Sequence, residues 1–167
     1  LDEAEERGAE LVIAYHPPIF AGLKRLTQGT AGERVLIEAL RSGIAVYSPH
    51  TALDAAPRGV NDWLAQALGE GARAPLVPAA DGSADTGMGR SVVLATALGL
   101  NAIVARVKAH LGLAHLRVAS APKHDEGALI THAAVCAGAG GSLFAPLHGP
   151  ELYLTGEMRH HDVRAKV

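Results

Sequence analysis

The chain has 167 residues, fifteen Lys and Arg against seventeen Asp and Glu, and a formal net charge of −2. That is enough chain for one domain with a substantial core, or for two small lobes sharing one, and the near-neutral balance without a basic run gives nucleic-acid binding no electrostatic support. Apolar residues make up 49% and aromatic residues only 4%, and no apolar tract is long enough to span a bilayer, so an aliphatic core in a globular protein is expected and no membrane partner.

Leu1-Asp2-Glu3-Ala4-Glu5-Glu6-Arg7 is acidic where a signal peptide needs a positive start and an apolar middle. With no initiator Met and an abrupt end at Arg164-Ala165-Lys166-Val167, the chain reads as an internal fragment of a longer protein. Cytoplasm is the expected compartment, or mitochondria if a transit peptide precedes Leu1.

Leu11-Val12-Ile13-Ala14 is a continuous apolar run, as in a strand buried on both faces, and Pro17-Pro18 ends it because proline cannot donate to a ladder. A loop follows to about Thr30. Val35, Leu36, Ala39 and Leu40 then repeat at helical spacing and stop at Gly43, and Ile44-Ala45-Val46-Tyr47 reads as the next strand. The connection is long enough for a parallel crossover.

Val60, Trp63, Leu64, Ala67 and Leu68 form a second helical stripe closed by Gly69. Residues 70–90, rich in Ala, Pro, Gly and Asp, are expected to be irregular and to mark a lobe boundary within a single domain spanning 1–167. The alternation then repeats. Ser91-Val92-Val93-Leu94 is a strand, and Ile103, Val104, Val107 and Leu111 line a helix capped by Asn101 and ended by Gly112. Leu116–Ala119, Ala133–Cys136 and Leu152–Leu154 are further strands, and a closing helix begins near Met158. The predicted class is α/β, in two related lobes.

Chemistry-bearing residues fall just past strand ends, where parallel strands deliver side chains into the crevice that collects ligands. His16 follows the first strand, and His50 and Asp54 follow the second, so imidazole and carboxylate converge as they would on a divalent metal. If the segment after Ser48 is helical, His50 and Asp54 share one face as i,i+4 ligands. An equally good reading makes Ser48-Pro49-His50-Thr51 a helix entry, with Asp54 favoured in the first turns by the helix dipole. Lys24 and Arg25 could contact an anionic ligand, but two cations in a loop are usually only solvated.

Cys136, the sole cysteine, sits among apolar neighbours and reads as a buried strand residue rather than a nucleophile. Gly138-Ala139-Gly140-Gly141-Ser142 resembles a phosphate-cradling turn. No Gly-x-x-x-x-Gly-Lys-Ser/Thr or complete dinucleotide fingerprint accompanies it, so a tight strand-to-helix turn is the better reading and no organic cofactor site is assigned. Glu157, His160 and His161 again lie past a strand. His110, His115, His124, His132 and His148 show no partner in the sequence.

The ordered set Tyr15-His16-Pro17-Pro18-Ile19-Phe20, Ser48-Pro49-His50-Thr51-Ala52-Leu53-Asp54, Gly59-Val60-Asn61-Asp62-Trp63-Leu64, Val135–Ser142 and Leu154-Thr155-Gly156-Glu157-Met158-Arg159-His160-His161 resembles the NIF-three-like family, the GTP cyclohydrolase I type 2 homologues, in its eukaryotic form. The resemblance implies two intertwined α/β repeats with mixed, mostly parallel sheets. It also implies a homo-oligomer, from a dimer up to a hexameric ring, and a site for two divalent ions per subunit: zinc, manganese or iron.

By the same resemblance His16 and Asp54 are metal ligands, and Tyr15 replaces the first histidine of the family's pair. His50, His160 and His161 stand near the site as candidate proton relays. The family's downstream His and Glu ligands, and its opening segment, are expected to lie outside Leu1–Val167, leaving a weak half-site. The implied functions are metal-dependent hydrolysis of a nucleotide-like molecule, or non-catalytic metal carriage or regulation of protein partners.

Overall fold

The computed structural model describes all residues, 1–167. They divide into two units, Leu1–Ala52 and Leu53–Val167.

The first unit begins with a short helix, α1 (Asp2–Glu6), then β1 (Leu11–Ile13), α2 (Ala31–Arg41) and β2 (Ala45–Tyr47). Thr30 starts α2 with a capping box: its hydroxyl accepts the Glu33 N–H at 3.2 Å while the Glu33 carboxylate accepts the Thr30 N–H at 3.1 Å. The strands pair in parallel, Leu11 opposite Ala45 and Ile13 opposite Tyr47, through the expected crossover. Val12, Leu36, Ala39 and Val46 share an apolar hollow of about 460 Å³.

The expectation of a strand buried on both faces fails. Leu11, Ile13 and Tyr47 are 51%, 68% and 57% exposed, because a two-stranded sheet in this unit has no second layer over that face.

α3 (Thr51–Ala55) begins in the first unit and ends in the second. The second unit continues with α4 (Val60–Gln66), β3 (Gly71–Ala74), β4 (Val77–Pro78), β5 (Gly87–Met88), β6 (Arg90–Leu98), α5 (Leu100–Leu111), α6 (Pro122–Asp125), β7 (Ile130–Ala139), α7 (Gly141–Phe144), β8 (Leu152–Glu157) and α8 (His160–Arg164). Its main sheet has the order β3-β6-β7-β8, and β4 and β5 form a separate small pair. β7 and β8 are parallel, whereas β3–β6, β6–β7 and β4–β5 are antiparallel. The α/β class holds, with mixed sheets in which the parallel pairs are β1–β2 and β7–β8.

The core follows the period-two pattern of β7. Ala133 and Val135 face Leu64, Ile103 and Val107 from the helices and Leu68 from the turn after α4, while Ala134 and Cys136 face Phe144, Leu147 and Tyr153. β7 is thus covered on both sides, whereas Val93 on β6 is 53% exposed.

Three local expectations are corrected. The stretch 70–90 is not irregular throughout: β3 joins the sheet edge, and Gly71 permits this because a Cβ there would stand 2.2 Å from the Val93 carbonyl oxygen. Leu116–Ala119 forms no strand, since it finds no ladder partner and Leu116 packs on the core instead. Asn101 is not the cap of α5; Gly99 takes that position and Gly112 closes the helix at φ 65°.

Arg90 anchors the loops of this unit. Only 2% exposed, it donates from Nε and Nη2 to the Asp62 carboxylate at 2.5 and 3.1 Å, and from Nη1 to the Gly87 and Gly89 carbonyls at 2.8 and 2.7 Å. Its Nη2 also donates to the Ala56 carbonyl at 3.1 Å, so one guanidinium holds the α3–α4 turn and the β5–β6 turn together.

Candidate functional site

In the first unit the ends of the two parallel strands bring four rings together. The His16 and His50 ring centroids are 5.6 Å apart, Tyr15 meets His16 edge-on at 5.0 Å and His50 at 6.0 Å, and Phe20 meets His50 edge-on at 6.0 Å. Parallel pairing in register explains this, since both chains leave the sheet on the same side. Ser48 donates its hydroxyl to the His16 carbonyl at 3.4 Å. His50 has φ 37°, a left-handed backbone that a non-glycine residue adopts only when its surroundings impose it. Phe20 is 83% exposed.

Asp54 lies in α3 and is 8% exposed. Asn61, fully buried on α4, donates from Nδ2 to the Asp54 carbonyl at 2.9 Å and accepts the Ala137 N–H on Oδ1 at 2.7 Å. Both halves of its amide are therefore used, tying α3 to β7. The turn between α3 and α4 closes tightly: a Cβ on Gly59 would lie 2.1 Å from the Leu53 carbonyl oxygen. Cys136 is buried as expected, and its thiol is pushed up by burial first and then by the Asp54 charge.

The C-terminal ends of β7 and β8 border a cavity of about 510 Å³ lined by Gly141, Ser142, Glu157, Met158, Arg159 and Asp162. The glycine segment makes the tight turn expected of it, with Gly138 at φ 69° leading into the single turn of α7. Arg159 Nε donates to Asp162 at 2.8 Å, and this hydrogen bond holds the Asp162 carboxyl below its usual range. His160 and His161 open α8; His161 is exposed and stands 3.4 Å from Asp162.

His16 and His50 lie just past β1 and β2, as the sequence predicts, and Asp54 lies further on, within α3. Sequence reading missed Asn61, whose role needs the tertiary neighbour Ala137, 76 positions away. It also missed the Ser91–His132 pair, whose Oγ and Nε2 lie 2.8 Å apart across β6 and β7, and the tilted packing of His110 against Trp63, 4.8 Å between ring centroids. Alternation in paired strands was the only sequence signal for the Ser91 contact.

No three His, Cys, Asp or Glu side chains gather into a cage for a metal ion. Fewer than three such donors meet at any one place, which is fewer than a closed divalent site takes, so the residues present do not fit a self-contained metal centre.

The family description for Duf34/NIF3 (NGG1p interacting factor 3) matches residues 1–166. The chain belongs to the Duf34/NIF3 family. It is 42% identical over 161 residues to NIF3-like protein 1 of Drosophila melanogaster, covering 96% of this chain and 54% of that protein. It is 39% identical over 170 residues to NGG1-interacting factor 3 of Saccharomyces cerevisiae, covering 96% of this chain and 59% of the yeast protein. A GTP cyclohydrolase 1 type 2 homolog of Lactococcus lactis is 33% identical over 161 residues, covering 95% and 60%. Among solved structures, a Bacillus cereus protein related to NIF3 has the same fold, with TM-score 0.74, 20% identity, and coverage of 99% of this chain and 71% of that one. The chain thus spans between about half and two thirds of the length of the curated NIF3 relatives it matches. No helix is long and apolar enough to cross a membrane.

Proposed function

We propose that this NIF3-family chain contributes His16 and Asp54 as two ligands of a divalent-metal site, zinc, manganese or iron, whose remaining donors come from elsewhere in the family polypeptide. What supports the reading is the meeting of His16 and His50 at the end of the parallel pair, 5.6 Å between ring centroids. The whole protein would be a hydrolase of a nucleotide-like substrate; the name of the Lactococcus relative supports that class. Bound metal would supply Lewis acidity. Of the chain's own residues, His50 would carry a proton on its ring nitrogen beside the reacting centre, with His160 or His161 as further relays.

Calorimetry tests the ligand assignment. Weak zinc or manganese binding by the 167-residue chain, abolished in both His16→Ala and Asp54→Ala, supports it; binding that survives either change refutes it. Turnover of GTP by a full-length family protein reconstituted with metal, and its loss on Asp54→Ala, tests the hydrolase.

The second reading, a non-catalytic metal carrier or a regulator of protein partners, is favoured by the incomplete donor set and by the yeast relative's name as an interacting factor. Metal release to a recipient protein without turnover distinguishes it. Assembly as a homo-oligomer, from a dimer to a hexameric ring, and residence in the cytoplasm belong to the same proposal; sedimentation and cell fractionation check them.

A further inference from the structure

Phe20 is the most exposed large apolar residue of the chain, 83% accessible, yet it sits in the ring cluster rather than on a featureless loop. Its ring meets His50 in a T-shaped contact at 6.0 Å with planes 73° apart, and at 83% exposure most of the ring stays open to solvent. His50, which supports it, is held at φ 37° and is also packed by Tyr15 and His16. A strained residue buttressing an exposed aromatic face is a presented surface, not a core.

Charge adds the second observation. Between Glu10 and Glu33 the chain carries no carboxylate, while Lys24 and Arg25 follow Phe20 in the same loop and stand in no ion pair. The loop therefore combines an open ring face with two unopposed cations, the chemistry that holds a planar base with an anionic tail.

We infer that the loop from Tyr15 to Arg25 is a binding element for a nucleoside phosphate, with the base stacked on Phe20 against His50 and the phosphates neutralised by Lys24 and Arg25. This deepens the proposed function by naming what would bring substrate to the His16 end. It rests on that reading only for its catalytic meaning, because stacking and charge pairing need no metal.

The test is a titration in the presence of a chelator. Phe20 is exposed, so Phe20→Trp and Phe20→Ala leave the fold intact. GTP and ATP should both quench the new indole of Phe20→Trp, since stacking tolerates any base, and Phe20→Ala should weaken GTP binding roughly tenfold. Tripolyphosphate should compete with GTP without quenching, and the Lys24→Ala, Arg25→Ala double variant should weaken GTP and tripolyphosphate alike. Unchanged GTP affinity in Phe20→Ala, tripolyphosphate binding as tight as GTP, or guanosine binding as tight as GTP would each overturn the inference. Metal calorimetry on the unsubstituted chain and on His16→Ala is independent of these readings: nucleotide quenching in a chain that binds no metal before substitution removes only the metal proposal, and His16-dependent metal binding without quenching removes only this one.

Discussion

β1–β2 and β7–β8 are both parallel pairs whose C-terminal ends carry polar residues, but they are supported in opposite ways. β7 lies inside a four-stranded sheet with Ala133, Ala134 and Val135 wholly buried, whereas Ile13 of β1 is 68% exposed in a sheet of two strands. The same strand-end chemistry is thus mounted on a packed scaffold in one unit and an open one in the other. Packing decides how firmly a strand end holds its side chains, and composition alone does not reveal it.

The largest expected effect removes the packed unit's advantage. Asp62→Ala leaves the 2%-exposed Arg90 guanidinium without its carboxylate, which should cost about 3–5 kcal/mol in a urea melt. Burial pushes the Asp62 carboxyl up, but the Arg90 hydrogen bond, the Arg58 N–H and the charges of Arg90 and Arg73 together hold it below its ordinary 3.8. A lowered folded-state value means that this contribution is complete above 3.8 and is lost as the pH falls below it. Acid titration of the wild type should therefore steepen in that range, and the steepening should shrink in Asp62→Ala.

Next in size is Asn61→Ala, which strips the Ala137 N–H and the Asp54 carbonyl of their partners at once. A cost of about 1–3 kcal/mol is expected by denaturant unfolding. Cys136 supplies an independent readout: loosening of the α3–α4 turn should raise its rate of reaction with a thiol reagent, since burial is the first cause of its low acidity. An unchanged rate would mean that Asn61 does not hold Asp54 near β7.

These two sites also show what could be read in advance. The strand ends bearing His16, His50 and Glu157 were legible because a continuous apolar run followed by Pro or a polar cluster is a local signal. Helix ends at Gly43, Gly69 and Gly112 were legible for the same reason. Burial of Leu11 and Ile13 was not, since the same run suits a central strand and an uncovered one. Nor was the role of Arg90 or Asn61, because each satisfies groups tens of residues away and leaves no periodic trace. Leu116–Ala119 had strand composition without a strand's partner, and β3 had a partner without strand composition.

In the open unit the capping box is a local device that does not depend on a core. Thr30→Ala should destabilise α2 by about 1 kcal/mol, visible as faster hydrogen exchange of the Arg34 N–H, which bonds the Thr30 carbonyl at 3.1 Å. The β7 amides should be unaffected. A matching acceleration in β7 would mean that the two units unfold as one, and the contrast between the strand pairs would collapse.

The smallest effect concerns His50. Its left-handed backbone disfavours any residue with a Cβ by about 1–2 kcal/mol, so in the absence of its ring a glycine should serve better than an alanine. His50→Gly is accordingly expected to be more stable than His50→Ala by about 1 kcal/mol, reduced somewhat by the added freedom of the unfolded chain. The Ala14 N–H, which donates to the Tyr47 carbonyl at 2.9 Å at the end of the strand pair, reports this by hydrogen exchange. Faster exchange in Ala than in Gly shows that the strain belongs to the backbone and that wild-type His50 is kept for its ring. Equal exchange would mean that the turn relaxes once the imidazole is gone, and that Tyr15, His16 and Phe20 impose the conformation through the ring itself.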